Sequence, residues 1–160
     1  MAKKSLLEPA YEPVDLLLGI TATLRDYRLA HFLNKTLGID LKSIDDLPVY
    51  VEKLQHNALF PLFWHHHKHL RSDFFLVANS NGEILMLPAL KNFTYFLIVK
   101  GDAPDKHFDE IPKLLREIPG IQAAFPIAPE SVKNIPFILA DLELHMIEVQ
   151  KKMADNQEGQ

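Results

Sequence analysis

The chain has 160 residues, 48% of them hydrophobic and 24% charged, with a formal net charge of −4 and no cysteine. That length and apolar content suit one globular domain that buries a single core without covalent staples. The lack of cysteine excludes disulfides, thiolate catalysis and cysteine-based zinc sites, and the mildly acidic balance lacks the basic patch of a nucleic-acid binder.

At the start, Lys3 and Lys4 are followed only by Leu6 and Leu7 before Glu8 and Pro9. This is too short for the apolar region of a secretory signal, and no run reaches membrane-spanning length. The expectation is a cytoplasmic protein with no membrane partner and a disordered N-terminus over residues 1–10. Val14, Leu16, Leu18 and Ile20 alternate and predict a strand, in which Gly19 marks a close backbone approach. Thr23 stands three residues before Asp26, a capping-box-like spacing. Leu29, Phe32, Leu33 and Leu37 then give the apolar stripe of a helix, and Gly38 supplies the left-handed stop.

Ile39 and Leu41 begin a short second strand that reaches toward Ile44. Asp45-Asp46 and Pro48 read as a turn, with the strand resuming over residues 49–51. Residues 59–68 read as another strand. Two apolar runs, 74–79 and 83–87, flank Asn81-Gly82, which is a strong short hairpin signal. Residues 93–99 form an apolar run broken only by Thr94 and bounded by Pro88 and Gly101, as expected of a strand covered on both faces. Phe108, Ile111, Leu115 and Ile118 share a helix face. Pro112 either lies in the first turn of that helix or kinks it. Pro119-Gly120 stops it, and residues 121–127 follow as a strand, suggesting a right-handed strand-helix-strand crossover. The predicted class is α+β: a mixed, mainly antiparallel sheet with two helices packed on it and a long C-terminal amphipathic helix. One domain spans residues 11–153, since no repeat or dividing linker is present.

The C-terminal helix is predicted over residues 135–153, with Pro136 tolerated in its first turn. It would be about 28 Å long at the usual rise. Ile135, Leu139, Leu142, Met146, Val149 and Met153 recur at spacings of four and three, an a/d seam. Phe137, Ile138, Leu144 and Ile147 widen the apolar surface. Such a helix either docks on its own sheet or packs against a second copy. The breadth of the apolar surface favours the second, so a homodimer is expected with the seam as its interface. Asp141, Glu143 and Glu148 make the polar face too acidic for anionic lipid. Residues 154–160 are expected to be a disordered tail.

Chemically, the loudest stretch is Trp64-His65-His66-His67-Lys68-His69. On a strand His65, His67 and His69 share one face, about 6.6 Å apart in succession. Two such imidazoles hold zinc or nickel if a third ligand arrives, with Asp73 and His56 as candidates. The alternative is a solvent-facing hairpin end. Around it Phe60, Phe63, Trp64, Phe74 and Phe75 concentrate aromatic surface that fits a core, an interface or a ligand pocket. Enzyme signatures are missing: there is no GxSxG, P-loop or GxGxxG pattern. Asp45-Asp46 reads as turn or cap chemistry rather than an acidic pair. Arg25, Asp26, Tyr27 and Arg28 form a polar cluster at a helix start. Arg25 and Arg28, with Tyr95, would contact an anion or ligand if a concave pocket joined them.

Two stretches carry a family resemblance. One is Leu24-Arg25-Asp26-Tyr27-Arg28-Leu29, followed by Leu33-Asn34-Lys35; the other runs from Leu87-Pro88 to Tyr95. The second resembles the motif that names the bacterial IPExxxVDY family, with Leu87-Pro88 standing for its Ile-Pro and Tyr95 for its final Tyr. The first is similar to that family's early helix, and the resemblance covers roughly residues 14 to 128. Ala89 stands where the family has Glu and Thr94 where it has Asp, so any role of those carboxylates is lost here. The family has no assigned reaction or ligand, so none is implied. The functional expectation is therefore a non-catalytic cytoplasmic protein acting through protein contacts, self-association first, with a further protein partner unidentified. The alternative is a small-ligand or metal-binding protein that uses the aromatic and histidine hairpin.

Overall fold

The computed structural model describes residues 11–101 and 107–158. Six strands form one sheet: β1 (Leu16–Ala22), β2 (Lys42–Val51), β3 (His56–His67), β4 (Ser72–Ala78), β5 (Tyr95–Gly101) and β6 (Ile121–Pro126). Their order is β2-β3-β4-β5-β1-β6, and every neighbouring pair is antiparallel. Three helices cover it: α1 (Asp26–Leu37), α2 (Ile111–Arg116) and α3 (Ile135–Glu158). The α+β class holds, with an antiparallel rather than a mixed sheet.

The alternation of side chains along a strand explains the layers. Leu16, Leu18, Ile20, Leu97 and Val99 point to the face covered by Leu29, Ala30 and Leu33 of α1 and by Ile111 and Leu115 of α2. Leu17, Phe75, Val77, Phe96 and Ile98 point to the opposite face, which α3 covers. The central strands are apolar at both parities because both of their faces are dry. β1 lies between β5 and β6, so β5 and β6 run in the same direction, joined through α2.

Local chemistry sets the boundaries. Gly38 takes φ 67° at the end of α1 and its N–H reaches the Asn34 carbonyl at 2.9 Å, a left-handed stop that glycine adopts without strain. At Gly19 a Cβ would lie 2.7 Å from the Phe93 ring and 2.8 Å from Ile127, so the close approach read from the sequence is real. Pro112 sits in the first turn of α2, which starts late rather than kinking.

Several expectations are corrected. Arg25, not Thr23, occupies the N-cap position of α1, and no side chain caps it. Thr23 instead directs its hydroxyl to the Gly120 carbonyl at 3.4 Å. Asp45-Asp46 is not a turn: β2 runs through it, and the register with β3 shifts between Ile44 and Leu47. The run 83–87 is not a strand. Asn81 Oδ1 accepts the N–H groups of Glu83 and Ile84, and only an isolated Ser80–Leu85 bridge forms. β4 pairs with β5, which begins beyond that expected partner at Tyr95, because β5 brings a full apolar ladder and 83–87 does not. α3 continues to Glu158, so residues 154–158 are helical rather than a disordered tail. The expected disorder of residues 1–10 and 159–160 falls outside the described residues.

Both sheet edges are poor templates for another strand. β2 carries Lys42, the irregularity at Asp45-Asp46 and Pro48, while β6 is short and ends in Pro126.

Candidate functional site

α3 lies along the β2 side of the sheet and is fastened there by polar contacts. His145 Nε2 donates to the Asp45 carbonyl at 2.8 Å, and Lys152 Nζ reaches Asp45 Oδ2 at 2.9 Å. Asp45 stands at the irregularity in β2, and Lys152 holds its carboxyl below the ordinary carboxylate range. The expected interface seam faces inward. Ile135, Leu139, Leu142, Met146 and Val149 are all buried against their own sheet; only Met153, past the last strand contact, is exposed. The seam as an intersubunit contact is thereby corrected: β-strand side chains such as Phe60, Leu62 and Phe96 already fill the space beside it. The widening residues separate in the same way. Ile138 is buried, whereas Phe137 and Leu144 on the outer side of the helix and Ile147 at the border between that side and the sheet are 45%, 65% and 60% exposed.

Between α3 and the sheet lies a cleft of about 400 Å³. Trp64 and Phe75 wall it from β3 and β4, and Leu142, Met146 and Ile147 from α3. Its polar lining consists of Glu12, Asp73, Lys100, Glu143 and Gln150. Asp73 Oδ1 accepts the Trp64 indole N–H at 2.9 Å and lies 3.0 Å from His66 Nδ1. Lys100 Nζ stands 3.3 Å from Glu143 Oε1 and 3.8 Å from Glu12 Oε2, and Glu143 also accepts the Glu12 amide. The aromatic residues read from the hairpin therefore divide. Trp64 and Phe75 reach the cleft, Phe60 is core beneath α3, and Phe63 and Phe74 are core beneath α1 and α2.

His65 and His67 lie on β3 and His69 in the turn that follows it, with successive ring centroids 5.8 and 6.2 Å apart. Partial burial first, and then the neighbouring His67, pull His65 below the ordinary imidazole range. His67 Nδ1 accepts the Leu70 N–H at 3.2 Å, which places the ring proton on Nε2 and leaves neither nitrogen ready for a metal. The proposed third ligands are elsewhere. Asp73 lies opposite His66, across the sheet from the three rings, and is held by Trp64. His56 starts β3, nine residues and about 30 Å from His65. Among the described residues no three His, Asp or Glu side chains come together to hold an ion.

Arg25, Arg28 and Tyr95 are not joined. Tyr95 is buried and its hydroxyl donates to the Leu24 carbonyl at 2.7 Å. Arg25 and Arg28 are exposed on α1, with Arg28 5.9 Å from the Phe32 ring centre. The cleft that Tyr95 lines, about 210 Å³, is walled by Asn79, Phe93 and Lys91 and by neither arginine. The residues of the 87–95 stretch hold backbone. Thr94 Oγ1 accepts the Ala22 N–H at 2.9 Å and lies 3.2 Å from the Ile20 carbonyl, which it bonds as donor. The organiser of this loop is Asn79, fully buried, which the sequence reading treated only as the end of a strand. Its Oδ1 accepts the Leu87 N–H at 2.7 Å. Its Nδ2 faces the carbonyls of Phe93 at 2.9 Å, Leu90 at 3.2 Å and Leu87 at 3.4 Å. The available signal was an asparagine closing an apolar strand, a place where a polar side chain must find partners.

Burial first, then the Asp26 carboxylate, push the Tyr95 hydroxyl up to about 12, against a smaller opposing pull from Arg25. The folded chain thus keeps a proton that an unfolded tyrosine loses near pH 10. The unfolded state binds fewer protons in that window, so stability falls as pH rises from about 10 to 12. The expected result is a thermal midpoint that drops more steeply there than in Tyr95→Phe. Of the four tyrosines, Tyr95 should be the last to ionise by phenolate absorbance. Equal slopes in the two proteins would remove this role for Tyr95.

Comparison with known proteins returns no matching family model and no matching curated relative. Among the described residues no helix is long and apolar enough to cross a membrane.

Proposed function

We propose that the protein acts through protein contacts rather than catalysis, as a cytoplasmic homodimer paired through the outer side of α3. The observation that carries this reading is the exposure of Phe137, Leu144 and Ile147, at 45%, 65% and 60%, along one stripe of a helix whose other stripe is already used. Their spacings of seven and three place them in line. Two copies related by a twofold axis would bury this stripe against itself. The blunted edges of β2 and β6 direct association to the helix instead. Kinship with the bacterial IPExxxVDY family belongs to the same proposal and rests on the residues 24–35 and 87–95. Thr94 and Tyr95, two positions of that motif, are engaged with backbone, which supports an architectural use of the motif.

Light scattering at micromolar concentration is expected to give twice the 18.3 kDa chain mass. Leu144→Glu with Ile147→Glu is expected to give a folded monomer, because both side chains already stand in water when the chain is alone. A wild-type monomer at that concentration would reject the dimer.

One observation favours a second reading, a small-ligand binding protein. The cleft beneath α3 combines aromatic walls with a few convergent polar groups, the usual composition of a ligand site.

A further inference from the structure

We infer that the cleft between α3 and the sheet takes a small organic cation, an alkylammonium group carrying a short apolar tail. This rests on the ligand-binding reading just given and names the chemistry of its ligand. Three acids line the cleft, Glu12, Asp73 and Glu143, against one base, Lys100. Lys100 offers no unpaired charge to an anion. Its side chain is only 18% exposed and lies between Glu143 at 3.3 Å and Glu12 at 3.8 Å. The carboxylates keep acceptor capacity. Asp73 uses Oδ1 for both Trp64 and His66, and Glu143 uses Oε1 for both Lys100 and the Glu12 amide. No described residue bonds Asp73 Oδ2 or Glu143 Oε2. Their side chains are 29% and 26% exposed, so they are partly withdrawn from water.

An ammonium group supplies the donors these oxygens lack, and charge-assisted bonds in a partly dry cleft are the strong ones. Trp64, half-buried at the cleft, presents aromatic surface, which attracts cations through the ring quadrupole. Ile147, 60% exposed beside the buried Leu142 and Met146, provides apolar surface for a tail. A metal cation fits less well, because no three ligating side chains converge among the described residues. An organic cation needs no such convergence: it takes one or two carboxylates and an aromatic wall.

Trp64 is the only tryptophan of the chain, so its emission reports on the cleft directly. The full-length protein is titrated with n-pentylammonium chloride and, separately, with sodium pentanoate, which has a similar tail and the opposite charge. Free N-acetyltryptophanamide serves as the control for non-specific quenching. The expected result is a saturable change with the amine and none with the acid. Asp73→Asn and Glu143→Gln, each checked for native circular dichroism, are expected to weaken the amine about tenfold, the worth of one charge-assisted contact. Both variants keep an oxygen for the neighbours that Asp73 and Glu143 now hold. Saturable binding of pentanoate in preference to the amine would overturn the cation assignment and leave the ligand reading standing. Saturation by neither compound would overturn both. Binding of the amine unchanged in two folded variants would overturn the site.

Discussion

Replacing Asn79 by alanine is expected to remove about 3–5 kcal/mol of unfolding free energy, the largest loss from any single polar side chain here. Asn79 is fully buried, and its amide is the only described side chain that serves the backbone of residues 87–93 from inside the core. Alanine would leave the Leu87 N–H without its acceptor at 2.7 Å and the Phe93 carbonyl without its donor at 2.9 Å. Each orphaned group costs about 1–3 kcal/mol because the site is closed to bulk water. Asn79→Asp should be as severe at neutral pH. It keeps an acceptor for Leu87 but sets a carboxylate oxygen against carbonyls of Leu90 and Phe93. Urea unfolding followed by circular dichroism measures both. A loss below about 1 kcal/mol in Asn79→Ala would mean that the loop repacks and that Asn79 does not organise it.

The second large effect is Leu142→Ala, expected to cost about 2–5 kcal/mol as a buried truncation in a packed core. Leu142 is 2% exposed among Phe60, Leu62, Phe96 and Ile98. The diagnostic feature is that the loss stays the same at every protein concentration. A residue whose burial came from a second subunit would show a cost that depends on concentration, since association is linked to folding by mass action. Leu144→Ala, two residues along and 65% exposed, is the internal comparison. It should leave the stability of the isolated chain within about 0.5 kcal/mol and act on association instead. Thermal melts over a hundredfold dilution series separate the two. A Leu142→Ala penalty that shrinks on concentration would return the seam to the subunit interface.

The helices and most of the strands were legible because their signals are local. Gly38 stops α1 by its own backbone preference, Pro112 starts α2, and the β5 run is apolar on both parities because it is covered twice. Partner choice was not legible. Asn81-Gly82 has hairpin chemistry and makes a turn. Yet residues 83–87 lose the competition for β4 to the strand that begins at Tyr95. A two-residue turn fixes only its own register, whereas the ladder from Ser72–Gly101 to Ala78–Tyr95 buries side chains on two faces.

The candidate sites divide along the same line. The spacing put His65 and His67 on β3 but His69 falls in the turn beyond it, and the hydrogen bond from Leu70 to His67 and the position of Asp73 on the other face depend on neighbours that no spacing reveals. Arg25 and Arg28 stand in one stretch of the resemblance and Tyr95 in the other, and no pocket joins them, because Tyr95 turns inward to a backbone carbonyl.

By itself the sequence determined the class of the fold, the glycine stop of α1, the exclusion of cysteine chemistry and the existence of a long helix with more than one apolar stripe. Only the tertiary structure decided which stripe meets the sheet, which strand takes β4, and that Trp64, Asp73, Lys100 and Glu143 share one cleft. The reason is physical. Periodicity and backbone preference act within a few residues, but burial is a competition among surfaces distant in the chain, and a side chain's chemistry follows from which of them wins.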